Sequence, residues 1–159
     1  MKMMKRWIAA LALSLLLPVM AQAAADPFFG TWRLDKTKST IGRDPGVKMK
    51  EFIFAPAGDG VDITETIEMM TGNGEKQVSH LAYAYGKAIP QTGAGFETLL
   101  VTKTGPKSVV WTAQTKGKTL AELQVAISDD GKEMAFRYVS SAADPTGEVT
   151  KDRYVYVKQ

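Results

Sequence analysis

The sequence predicts an all-β domain, an antiparallel up-and-down β-barrel of about 8–10 strands preceded by a signal peptide. Three observations predict it. Apolar residues recur with period two in short runs, Gly, Asp, Asn and Pro break those runs at short intervals, and no stretch carries an amphipathic helical period. Strands joined by short turns pair with their sequence neighbours. An open meander of that length leaves two unpaired edges, and closing it into a barrel removes them.

The first 23 residues stand apart from the fold. Lys2, Lys5 and Arg6 precede an apolar run from Trp7 to Leu17, followed by Ala21-Gln22-Ala23. This is the form of a secretory signal peptide, with cleavage before Ala24 or, alternatively, after Ala25. The run is short of the roughly 20 residues that span a bilayer. No cysteine is present, which excludes disulfide staples and a lipid anchor on cysteine. Removing 23 of the 159 residues leaves 136, residues 24–159, the size of one domain with a single core. The net charge of +3 is carried by the leader, since 17 Lys and Arg then face 17 Asp and Glu. A neutral mature chain gives no electrostatic case for nucleic acid.

Strand one is expected from Gly30 to Asp35, with Lys36 to Pro45 as a loop. Strand two, about Val47 to Ala55, is apolar on both faces, with Val47, Met49 and Ile53 on one and Phe52 and Phe54 on the other. It is therefore expected to be covered on both sides and to end at Pro56. After Ala57-Gly58-Asp59-Gly60, Val61, Ile63, Ile67 and Met69 share a face with Glu65, a carboxylate on an apolar stripe. Gly72-Asn73-Gly74 supplies a tight hairpin before strand four, about Lys76 to Tyr85, in which Leu81, Tyr83 and Tyr85 share a face. A brief extended piece at Ala88–Pro90, a loop from Gln91 to Gly95 and a strand from Phe96 to Thr104 follow. The remaining hairpins are Ser108 to Thr115, Thr119 to Ser128 and Glu133 to Ser140, with Leu123, Val125 and Ile127 on one face and Met134, Phe136 and Tyr138 on another. A loop from Ser141 to Gly147 leads to the closing strand, Glu148 to Lys158, in which Tyr154 and Tyr156 lie opposite Arg153 and Val155.

Phe28-Phe29-Gly30-Thr31-Trp32-Arg33-Leu34 resembles the opening of intracellular fatty-acid-binding proteins, and Gly30-x-Trp32 resembles the first lipocalin signature. More of the chain is similar to exported bacterial lipocalin-like proteins of the calycin superfamily. That likeness rests on Asp26-Pro27-Phe28, Lys38-Ser39, Ala57-Gly58-Asp59-Gly60-Val61, Asp130-Gly131-Lys132 and the ending Tyr156-Val157-Lys158-Gln159. The resemblance implies that Trp32 plugs the narrow end of the barrel beside Gly30, with Arg153 packed over the indole. It does not extend to fatty-acid specificity. Lys36 to Pro45 is too short for two lid helices, and the position of the carboxylate-binding arginine, two residues before Tyr156, holds Tyr154.

Residue counts exclude most catalytic plans. With His80 the only histidine and no thiol, Cys-His nucleophiles and multi-histidine metal sites are absent, and no nucleophile elbow, phosphate loop or calcium loop occurs. No catalytic residue, cofactor or metal is expected. Catalysis would require Glu65 and His80 to meet, and they alternate onto opposite faces. The expected ligand-binding side chains are Glu65, Tyr83, Tyr85, Phe136, Tyr138, Tyr154 and Tyr156, with Glu65 as polar anchor, as half of an internal ion pair, or near the barrel mouth where water reaches it. Arg137 alternates outward as a solvated side chain, and Trp111 is expected on ordinary strand surface or core. The expected protein is a non-enzymatic periplasmic or secreted monomer, without a stable membrane anchor or nucleic-acid partner, holding a small apolar or amphipathic molecule. The alternative is a protein-interaction or protease-inhibitor-type barrel with a filled core, acting through Lys36 to Lys48 or Ser141 to Gly147.

Overall fold

The computed structural model describes residues 25–41, 46–141 and 152–159. The leader, part of the loop to Pro45, most of the Ser141 to Gly147 loop and the start of the closing strand lie outside the described residues. Ten strands are present: β1 Gly30–Leu34, β2 Val47–Ala57, β3 Gly60–Met69, β4 Lys76–Tyr83, β5 Ala88–Pro90, β6 Thr98–Gly105, β7 Ser108–Thr115, β8 Lys118–Ile127, β9 Glu133–Ser141 and β10 Arg153–Lys158. Among the described residues there is no helix. All ten form one antiparallel sheet in the order β4-β3-β2-β1-β10-β9-β8-β7-β6-β5. The terminal strands pair as expected, Trp32 with Lys158 and Leu34 with Tyr156.

The sheet curls until β4 meets β5 and β6, where a continuous ladder is replaced by the single bridges Ala84–Lys87 and Tyr85–Val101. A side chain closes the rest of this seam. The Gln91 carboxamide accepts from the Ala82 N–H at 3.0 Å and donates to the Ala82 carbonyl at 2.7 Å, so one amide side chain stands in for a peptide unit of a missing neighbour. The barrel is thus nearly closed.

Strand two departs from its expected faces. Val47 pairs with Met69 and Lys50 with Ile67, so two residues of β2 oppose Glu68 alone in a β-bulge. A bulge inserts one residue and resets the alternation. Val47 is consequently buried on the same side as Phe52 and Phe54, while Ile53 is 41% exposed on the outside. Cover on both faces is therefore not found: this is a single-layer barrel, and its outer face meets solvent. The strand also runs through Pro56, which lies beyond Phe54, the last residue opposite β1, where a missing N–H breaks no ladder on that side.

The core is the barrel interior. Its fully buried large side chains include Trp32, Tyr156, Phe28, Ile63, Leu99 and Met134. Ring contacts join β2, β7, β9 and β10 in the lumen: Phe52 stacks on Phe136 at 5.5 Å and lies 5.1 Å from Tyr156, and Trp111 meets Phe136 edge-on at 5.2 Å.

Candidate functional site

The narrow end is solid. Trp32 is wholly buried, and its indole Nε1 donates to the Phe28 carbonyl at 2.7 Å. Phe28 is fixed in turn by Asp26, whose carboxylate accepts from the Phe28 N–H at 3.1 Å. Gly30 adopts φ +124°, and a Cβ there would meet Lys158 Cε at 3.0 Å, so glycine satisfies both the backbone and the close approach. The cation over the indole is Lys158, 5.0 Å from the ring, and not Arg153. Arg153 sits on the opposite face from Tyr154 and Tyr156, exposed, with Nη1 donating to the Lys38 carbonyl at 3.3 Å. Lys158 shares the inward parity of Tyr156 and lies directly across from Trp32.

Tyr83 and Tyr85 belong to this end as well. Inward positions on β4 descend from Ser79 through Leu81 to Tyr83, which brings Tyr83 to the base and Tyr85 past it. The Tyr85 hydroxyl donates to Asp26 at 2.6 Å and lies 3.4 Å from the Tyr83 hydroxyl, while Lys103 Nζ stands 4.0 Å from the Tyr85 ring centre. Burial pushes the Tyr83 hydroxyl up to about 12. It raises Tyr85 as well, reinforced by the hydrogen bond to Asp26. These two tyrosines fasten the segment entering β1 and do not line the cavity.

Above the plug the barrel holds a cavity of about 170 Å³. Its aromatic walls are Phe52, Phe96, Trp111, Phe136, Tyr138, Tyr154 and Tyr156, completed by Leu81, Leu99, Ala113 and Leu123. Five of the expected ligand-binding residues, Glu65, Phe136, Tyr138, Tyr154 and Tyr156, are brought together here. Phe96 arrives from the loop before β6, two positions before Thr98, although the sequence pattern places it in that strand.

The polar rim is one ion pair. Lys50 Nζ lies 2.8 Å from Glu65 Oε1, with 17% and 16% of the two side chains exposed, and Glu65 Oε2 accepts from the Ser79 hydroxyl at 2.9 Å. The ammonium also stands 5.4 Å from the Phe52 ring and 5.8 Å from the Tyr154 ring. Glu65 is therefore half of an internal ion pair near the mouth. Lys50 was not anticipated, although its parity with Phe52 and Phe54 signals an inward cation on the strand beside Glu65. His80 is exposed on the outer surface, with Nδ1 3.5 Å from the Thr64 hydroxyl, and does not approach the cavity. Arg137 is exposed as expected, and Trp111 is a buried wall of the site.

No protein-family model and no curated protein matches the chain. Solved structures do. Apo Caenorhabditis elegans lipid binding protein 8 superposes with a TM-score of 0.56 at 11% identity, over 87% of this chain and all of that one, 100%. A Schistosoma mansoni fatty acid binding protein in complex with arachidonic acid gives 0.55 at 11% identity, covering 84% and 96% of the two chains. The fold is that of fatty-acid-binding-protein-like β-barrels. Wild-type fluorescent protein UnaG is similar to the same degree, with a TM-score of 0.54 and 13% identity over 83% of this chain and 97% of that one. At such identities the likeness establishes the architecture alone.

Proposed function

We propose that the chain is an exported, non-enzymatic calycin-fold carrier that holds one small apolar or amphipathic molecule in the upper half of its barrel. The observation that carries this reading is the cavity of about 170 Å³, walled by aromatic rings above a solid base and rimmed by one polar pair. Concave apolar sites with a few convergent polar groups are the usual form of small-molecule pockets. An apolar cavity of about 150 Å³ takes up benzene, so the occupant is the size of a single ring or a short alkyl chain. Relatives in fold include proteins named for fatty-acid and lipid binding, but this cavity lies below the roughly 300 Å³ at which drug-sized ligands begin to fit.

The mechanism is burial. A ring that removes about 150 Å² of apolar surface from water gains roughly 4 kcal/mol, which alone corresponds to an affinity near 1 mM. Tighter binding draws on the rim. Export is supported by the basic and apolar pattern of Lys2 to Leu17 ahead of Ala21-Gln22-Ala23. Mass spectrometry of the protein purified gently from its native host tests both halves, since a mass beginning at Ala24 or Asp26 and a retained small molecule are expected. No ligand in the native protein, together with no saturable uptake of an apolar fluorescent probe, overturns the carrier reading and favours a barrel that acts through its loops.

A further inference from the structure

A site that anchors an anionic headgroup needs a cation free to meet it. Among the described residues lining the cavity, Lys50 is the only cation and Glu65 the only anion, and they are joined at 2.8 Å with both side chains more than four-fifths covered. Ser79 holds the second carboxylate oxygen, and Lys50 is bracketed by the Phe52 and Tyr154 rings. We propose that the cavity selects uncharged, ring-sized ligands carrying both a hydrogen-bond donor and an acceptor, and that Glu65 is the specificity-determining residue that turns carboxylates away. The inference rests on the carrier reading above and concerns the chemistry of its ligand.

The electrostatics supply the reason. A carboxylate drawn to Lys50 arrives beside the Glu65 carboxylate in a partly dehydrated site, where one ammonium is shared by two negative charges and the repulsion offsets the attraction. The ligand's own hydration is then lost without compensation. A primary amide brings no net charge. Its carbonyl accepts from Lys50 and its N–H donates to Glu65, so the existing pair is lengthened or bridged and not broken, while the ring enters the aromatic walls.

The test compares p-toluamide with p-toluate, which share shape and differ in charge, by titration against the mature protein followed through Trp111 emission and by calorimetry. Wild type is expected to bind the amide at least tenfold more tightly than the acid. Glu65→Gln, which keeps a partner for Ser79 and frees Lys50, is expected to gain at least tenfold for the acid, and Lys50→Met combined with Glu65→Gln to lose that gain. Near-UV circular dichroism checks that each variant keeps its packing. Equal binding of the two compounds by wild type, or an unchanged ratio in folded Glu65→Gln, overturns the inference. An apolar probe that binds while neither compound does overturns it too and leaves the carrier reading standing; failure of the probe and of both compounds removes both.

Discussion

At the scale of single residues, the base of the barrel hangs on Trp32. Its ring is fully buried and its N–H satisfied by Phe28, so Trp32→Ala loses packing and leaves a cavity, at a cost of about 3–5 kcal/mol in urea unfolding. Lys158→Ala removes a cation–π contact worth only about 0.5–1 kcal/mol at a solvent-facing position, and Arg153→Ala is expected to leave Trp32 emission unchanged. Tyr83 and Tyr85 make the same base sensitive to alkali. Their folded forms hold protons above the ordinary tyrosine range, Tyr83 to about 12. The unfolded chain ionises first, near pH 10. Stability contributed by these hydroxyls is thus fully present below pH 10 and lost as pH rises from about 10 towards 12. Urea midpoints measured between pH 8 and 11.5 should fall less steeply for Tyr83→Phe than for wild type; parallel profiles would contradict the assignment.

At the scale of elements, one side chain closes the part of the seam between β4 and β5 that the backbone bridges Ala84–Lys87 and Tyr85–Val101 leave open. The Gln91 carboxamide makes three hydrogen bonds, to Ala82 N–H, Ala82 C=O and Ile89 C=O at 3.0, 2.7 and 2.9 Å. Gln91→Ala should raise the exchange rate of the Ala82 amide at least tenfold while the β4 amides bonded to β3 keep their protection. Unchanged exchange at Ala82 would mean that the seam is held elsewhere. This element also marks where the sequence was legible and where it was not. Period-two alternation located every strand, and the inward stripe Val61, Ile63, Glu65, Ile67 and Met69 follows directly from it. The β2 bulge cannot be read that way, because one extra residue leaves no trace in composition yet moves Val47 from the face of Ile53 to the inward face of Phe52 and Phe54. Which end of the lumen a residue reaches is equally hidden. Tyr83 and Tyr138 look alike on their strands, and only the tilt and stagger of the closed sheet send one to the base and the other to the cavity.

At the scale of the whole molecule, the barrel is divided into a filled lower half and an open upper half, and the boundary is the ring cluster of Phe52, Trp111, Phe136 and Tyr156. Ala113 is the small residue that leaves room above it. Ala113→Leu should fill the cavity, abolish probe uptake and leave the melting temperature unchanged or higher, since added methylenes here enter empty space; retained uptake would move the site elsewhere. An NMR titration of residues 24–159 with p-cresol, a neutral ring that matches the cavity, tests the division itself. Saturable shifts are expected at the Trp111 indole N–H and the Ala113 and Leu123 methyls, with the Trp32 indole N–H unmoved. No saturable shift, or one that reaches Trp32 as strongly as Trp111, would contradict it.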